Sequence, residues 1–146
     1  MQAFKHILVA TDFSGSSERA LDIAVKLATA FGARVTLLHV WELPVYPYMD
    51  FVLSSTELMQ SVEQAAQNRL SAALDELQKQ IPAARSLLKM GIPWEQILAT
   101  AKEEHADVIV MGTHGFRGVK HLLLGSVAEK VVRLAPIPVL TARSNA

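Results

Sequence analysis

The amino-acid sequence predicts an α/β domain built on one doubly wound parallel sheet of five strands. Three observations carry that expectation. Apolar runs of strand length alternate along the chain with segments of helical period. The runs are nearly continuous rather than alternating, as in strands buried on both faces. The chain has 146 residues, which suits a single domain spanning residues 1–146.

Composition narrows the function classes. Hydrophobic residues make up 51% and charged residues 19%, a balance that fits a thoroughly buried sheet or an apolar surface used in self-association. Lys+Arg and Asp+Glu are 14 each, so the net charge is zero and gives no electrostatic case for nucleic acid or an anionic membrane. There is no cysteine, which excludes disulfides, thiol catalysis and cysteine-ligated metals. The first apolar run, Ile7-Leu8-Val9-Ala10, is too short for a signal peptide, and no run approaches the ~18 residues of a membrane span. The expectation is a soluble cytoplasmic protein.

Residues 4–10 read as the first strand, apolar towards its end. The polar stretch from Thr11 to Glu18 is a turn rich in helix caps. A helix follows, with Ala20, Leu21, Ala24, Val25, Leu27, Ala28 and Phe31 on one face, and Gly32 stops it. Residues 34–40 form the second strand, completing a βαβ unit whose crossover is right-handed. From Trp41 to Ser55, two prolines and the aromatics Tyr46, Tyr48 and Phe51 resist any single period and read as a long loop in which the aromatics pack.

Residues 56–80 predict a long helix capped by Ser54, Ser55 or Thr56 and ended by Pro82. Leu58, Val62, Ala65, Ala66, Leu70, Ala73, Leu74 and Leu77 make its apolar stripe. A weaker third strand, 85–90, closes at Gly91, and Pro93 starts a helix that turns Trp94, Ile97, Leu98 and Ala101 inward. Residues 107–111 are the fourth strand and 126–134 the last helix. Pro136 and Pro138 bracket Ile137 just before the final strand, 139–142, and favour an edge position for it.

The chemistry concentrates after the fourth strand. Gly112, Gly115 and Gly125-Ser126 separate that strand from the last helix. Glycines let backbone N–H groups approach an anion, and a helix N-terminus adds unpaired donors and a positive dipole end. A plain alternative stands beside this phosphate reading: Gly112 ends a strand, and Ser126 with Glu129 has the spacing of a capping box. No Gly-Lys-Ser/Thr follows the glycines, so this is not a P-loop, nor is it G-x-G-x-x-G. Asp12, with Thr11 before it, ends the first strand and reads as either a ribose or base ligand or a turn residue. His114, Arg117 and Lys120 are candidate phosphate contacts, and His121 adds a further cation. His39 reads as a satisfied, half-buried histidine. No histidine pair has ligand spacing, so any metal is Mg²⁺ carried on phosphates. A serine-hydrolase elbow, G-x-S-x-G, is absent.

The pattern Gly112-x2-Gly115-x9-Gly125-Ser126 resembles the ATP-binding motif of the universal stress protein family. Ile7 to Ser14, Leu38-His39-Val40 and Pro138-Val139-Leu140 resemble the family's first, second and last strands, so the likeness covers nearly the whole chain in order. The resemblance implies strand order 3-2-1-4-5 and ATP, with Mg²⁺, at the junction of strands one and four. It places Ala10, Thr11, Asp12 and the backbone of Val40 at the adenosine end. Met111 and Gly112 would flank the ribose, and Gly115, Gly125, Ser126 and Val127 would hold phosphates. It implies a homodimer through the last strand, from about Val139 to Arg143. Thr113-His114 replaces the family's frequent Ser-Arg or Ser-His. The implied role is a stress-response sensor or regulator, catalytic at most through slow ATP hydrolysis. The alternatives are a nucleotide-hydrolysing enzyme of the related α-hydrolase type, whose S-G-G-x-D-S loop is missing here, and a nucleotide-free partner-binding dimer.

Overall fold

The computed structural model describes residues 4–42, 56–115 and 123–144. Its elements are β1 (His6–Ala10), α1 (Gly15–Phe31), β2 (Arg34–Trp41), α2 (Thr56–Gln78), β3 (Arg85–Met90), α3 (Pro93–Glu103), β4 (Val108–Gly112), α4 (Ser126–Leu134) and β5 (Val139–Ala142). The five strands are parallel, in the order β3-β2-β1-β4-β5. β1 is central because every one of its residues is buried, which demands cover on both faces and a neighbour on each side.

Side chains alternate across the sheet and build two cores. Ile7, Val9, Val35, Leu37, Val108 and Val110 face α1 and α2, whose Ala20, Ala24, Ala28, Leu70 and Leu77 close that layer. Leu8, Ala10, Leu38, Ile109 and Met111 face α3 and α4, where Ile97, Ala101, Ala128 and Val131 close the other. The small residues of α1 let the helix lie close to the sheet, and this brings its N-terminus against the end of β4.

Local chemistry sets the boundaries. Ser14 caps α1, its side chain accepting from the Ser17 N–H, and Gly32 ends it in the left-handed conformation at φ 66°. Four expectations need correction. Trp41 belongs to β2 and is buried, because pairing with β3 continues through Trp41 opposite Met90. α2 stops at Gln78, well before Pro82, in a tightened turn where the Gln80 and Ile81 N–H groups both reach Leu77 O. Ala65 lies outside the apolar stripe and is exposed. Phe31 is 43% exposed and meets Phe4 edge-on, with ring centroids 5.5 Å apart. The proposed caps Ser54 and Ser55, and the aromatics Tyr46, Tyr48 and Phe51, lie outside the described residues.

Candidate functional site

β1 and β4 are neighbours, yet the helices that follow them pack on opposite faces: α1 on one, α4 on the other. A crevice opens at the carboxyl ends of strands where the winding reverses in this way. Among the described residues, Asp12 at the end of β1 and Gly112 and Gly115 at the end of β4 come together there.

On the β1 side, Ala10 is buried and the Thr11 N–H extends the ladder by bonding Leu38 O at 2.9 Å. The Thr11 hydroxyl accepts from the Phe13 N–H at 3.0 Å and donates to Ser17 Oγ at 3.1 Å. Asp12 is exposed, and its Oδ1 accepts from the Ser14 N–H at 3.0 Å, an Asx turn. The turn forces Phe13 to φ 67°, a left-handed conformation that a bulky residue adopts only when its surroundings hold it. The Phe13 ring lies 4.6 Å from the His39 ring, and the Arg69 guanidinium of α2 sits 4.4 Å above it. His39 Nδ1 donates to Thr11 O at 2.8 Å, so this half-buried histidine is satisfied as expected. Burial holds its pKa below the ordinary value, with the Thr11 bond acting the other way. Val40, two residues beyond Leu38 on β2, is half-buried at the same end of the sheet.

On the β4 side, Met111 is buried and Gly112 is the last strand residue. Gly112 has no left-handed φ; it is needed for space. A Cβ there would lie 2.7 Å from Ser16 C and 2.8 Å from Ser17 N, and closest of all to Ser16 Oγ. The start of α1 therefore rests directly on Gly112. The chain then turns over. The Thr113 N–H bonds Ala142 O at 2.8 Å, and Thr113 O accepts from the Gly125 N–H at 2.7 Å. His114 O accepts from the Ser16 hydroxyl and, at 3.4 Å, from that of Ser14. His114 Nδ1 lies 3.1 Å from Thr113 Oγ1, while Nε2 is buried with no partner among the described residues. Gly115 is exposed, and a Cβ on it would run into Asp12 Oδ2. The ends of β1 and β4 are thus in direct contact through Asp12 and Gly115.

α4 opens this side of the crevice, and here the capping-box alternative is not what forms. Gly125, with φ −70° and ψ 171°, is the N-cap, and Ser126 is already the first helical residue. Among the described residues no side chain caps the helix. Glu129 instead pairs with Arg133 one turn on, at 3.4 Å. Ser126 is exposed and Val127 half-buried. Arg117, Lys120 and His121 lie outside the described residues. Sequence reading passed over Ser16, Ser17 and Arg69. The serines were legible only as cap candidates, and nothing local marks a residue of α2 as a neighbour of Phe13.

Residues 3–143 match the model of the universal stress protein family. The chain belongs to the universal stress protein family. A family member from Thermus aquaticus, encoded in the QAH/OAS sulfhydrylase 3′ region, is 42% identical over 141 residues, covering 96% of this chain and 99% of that one. The solved universal stress protein UspA of Lactobacillus plantarum superposes with a TM-score of 0.84 at 28% identity, covering 98% and 100% of the two chains. A universal stress protein solved in complex with cAMP superposes at 0.69 with 25% identity, covering 99% of this chain and all of that one. The Archaeoglobus fulgidus member in complex with dAMP superposes at 0.67 with 27% identity, covering 97% and 99%. Among the described residues of this universal stress protein, no helix is long and apolar enough to cross a membrane.

Proposed function

We propose that this universal stress protein binds ATP in the crevice between β1 and β4 and acts as a homodimeric stress-response sensor or regulator. The observation that carries the reading is the start of α4. A nine-residue helix begins at a glycine with no side-chain cap among the described residues, in the crevice that Asp12 and Gly115 border. First-turn N–H groups left without a side-chain acceptor suit a phosphate, and the helix dipole favours its charge. The adenine nucleotides carried by two relatives, cAMP and dAMP, support an adenine ligand.

In this reading the adenosine lies across Ala10, Thr11, Asp12 and the Val40 backbone, with Met111 and Gly112 beside the ribose. Gly115, Gly125, Ser126 and Val127 take the phosphates, and His114 borders them; Arg117 and Lys120 are further candidates. Mg²⁺ arrives on the phosphates, since among the described residues no three His, Asp or Glu side chains gather to hold a metal. A hydrolytic role is limited to slow turnover. The dimer uses β5, an outer strand that among the described residues pairs with β4 alone, and its outer edge suits antiparallel addition of a second copy from Val139 to Arg143.

The test is direct. The purified protein is denatured and released nucleotide identified by chromatography, with calorimetric titration of ATP and sedimentation to count subunits. Retained ATP, or micromolar ATP binding by a dimer, is the expected result. Rapid turnover to ADP or AMP favours the hydrolase; a dimer with neither retained nor titratable nucleotide replaces the ATP reading with partner binding.

A further inference from the structure

The turn after β4 is held from two directions. Its Thr113 carbonyl is bound by the Gly125 N–H at the start of α4. Its His114 carbonyl is bound by the Ser16 hydroxyl at the start of α1. Ser16 is 4% exposed, and its hydroxyl also lies 3.4 Å from the His114 N–H. The starts of the two helices thus hold the carbonyls of consecutive peptide groups, α4 the first and α1 the second.

The peptide group linking His114 to Gly115 is planar and trans, so its N–H points away from its carbonyl. With the carbonyl drawn towards α1, the Gly115 N–H points away from α1. Among the described residues no acceptor is bonded to that N–H. Resting on the nucleotide reading above, we propose that Ser16 is a positioning residue for the phosphate subsite. By holding the His114 carbonyl it aims the Gly115 N–H at a bound polyphosphate and so sets a preference for phosphorylated nucleotides over the bare nucleoside.

The electrostatics make the aim important. Asp12 Oδ2 flanks Gly115, and a carboxylate there opposes an anion. An N–H fixed in direction before the ligand arrives offsets that repulsion, because no reorientation is needed on binding. A peptide free to rotate would present its carbonyl to the phosphate for part of the time. Ser16 itself is too deeply packed against Gly112 to touch the ligand, so its effect passes through the peptide alone.

Ser16→Ala tests this by calorimetric titration with ATP and with adenosine, alongside ¹⁵N-detected spectra of the Gly115 amide. Losing one aimed donor to a charged acceptor weakens ATP binding about tenfold, while adenosine affinity holds within about twofold and the ligand-free Gly115 resonance moves. Equal affinities for wild type and variant, or equal weakening of both ligands, overturns the proposal. Wild type that binds adenosine but not ATP, or neither, sinks the nucleotide reading itself and this inference with it. Should Ser16→Ala fail to fold, adding pyrophosphate to the wild type still decides: the Gly115 amide must be among those that shift, and a silent Gly115 refutes the assignment.

Discussion

Gly112→Ala should destabilise the whole domain, although Gly112 lies in a motif associated with ligand binding. The added Cβ would meet the backbone of α1 at 2.7 Å from Ser16 C and 2.8 Å from Ser17 N, where ordinary contact begins near 3.4 Å. Helix and strand must part by 3.4 − 2.7, or 0.7 Å, at a point where α1 is pinned by the Ser14 cap and the Ser16 bond to His114 O. Overpacking of this kind costs about 1–3 kcal/mol, and loss of the serine bond adds about 1 kcal/mol. A loss of about 3 kcal/mol lowers Tm by roughly 6–12 °C in a chain of this size. Thermal unfolding followed by circular dichroism measures it. Combining Gly112→Ala with Ser16→Ala removes the hydroxyl contact and leaves both backbone contacts, so stability recovers only in part. A Gly112→Ala protein melting within about 2 °C of wild type would refute the reasoning, since it would mean that α1 has slack where the packing gives it none.

Gly115→Ala is the contrasting case: among the described residues its Cβ meets the tip of the Asp12 side chain and no backbone. A small turn of that carboxylate relieves the clash at the cost of at most the one Asx-turn bond, so stability changes by less than about 1 kcal/mol, and ATP titration shows a weaker site. His6 makes stability depend on pH. It is 2% exposed, with Nδ1 donating to Glu104 O at 2.8 Å and Nε2 accepting from the Thr36 hydroxyl at 2.7 Å. Burial holds its folded pKa below the ordinary value of 6.5, so its contribution is complete above that pH and is lost as pH falls towards the folded pKa. Urea unfolding at pH 7.5 and 5.5 should show the loss, and His6→Gln should reduce it; an equal loss in both proteins would assign it elsewhere. His105 ends α3 at φ 53°, where the Ala106 N–H closes back on Ala101 O at 2.9 Å. His105→Gly should relieve a strain of about 1 kcal/mol and raise the urea midpoint.

Much of the architecture could be read without coordinates, because each element is announced by a local rule. Nearly continuous apolar runs mark β1, β2 and β4, Gly32 and Pro93 punctuate the helices, and the prolines just before β5 favour the edge position it takes. Failures fall where tertiary packing overrides the local rule. Trp41 leads into a stretch of prolines and mixed aromatics and reads as the start of a loop, yet pairing with β3 and burial draw it into the sheet. Ser126 has capping-box spacing to Glu129, yet the Gly125 N–H bonds Thr113 O and Gly125 takes the cap, so the helix starts at Ser126 as expected while the capping-box alternative falls away.

The glycine stretch shows the same division within a few residues. Its spacing, and the strand and helix on either side of it, are properties of the chain and could be recognised in one dimension. Which glycine serves which purpose could not, because Gly112 answers to Ser16 and Ser17 and Gly115 to Asp12, about a hundred residues earlier. Such contacts exist only once β1 and β4 lie side by side with α1 tight against the sheet. Local sequence encodes backbone preference and apolar period; the space a side chain must leave empty is set by whatever the fold brings against it.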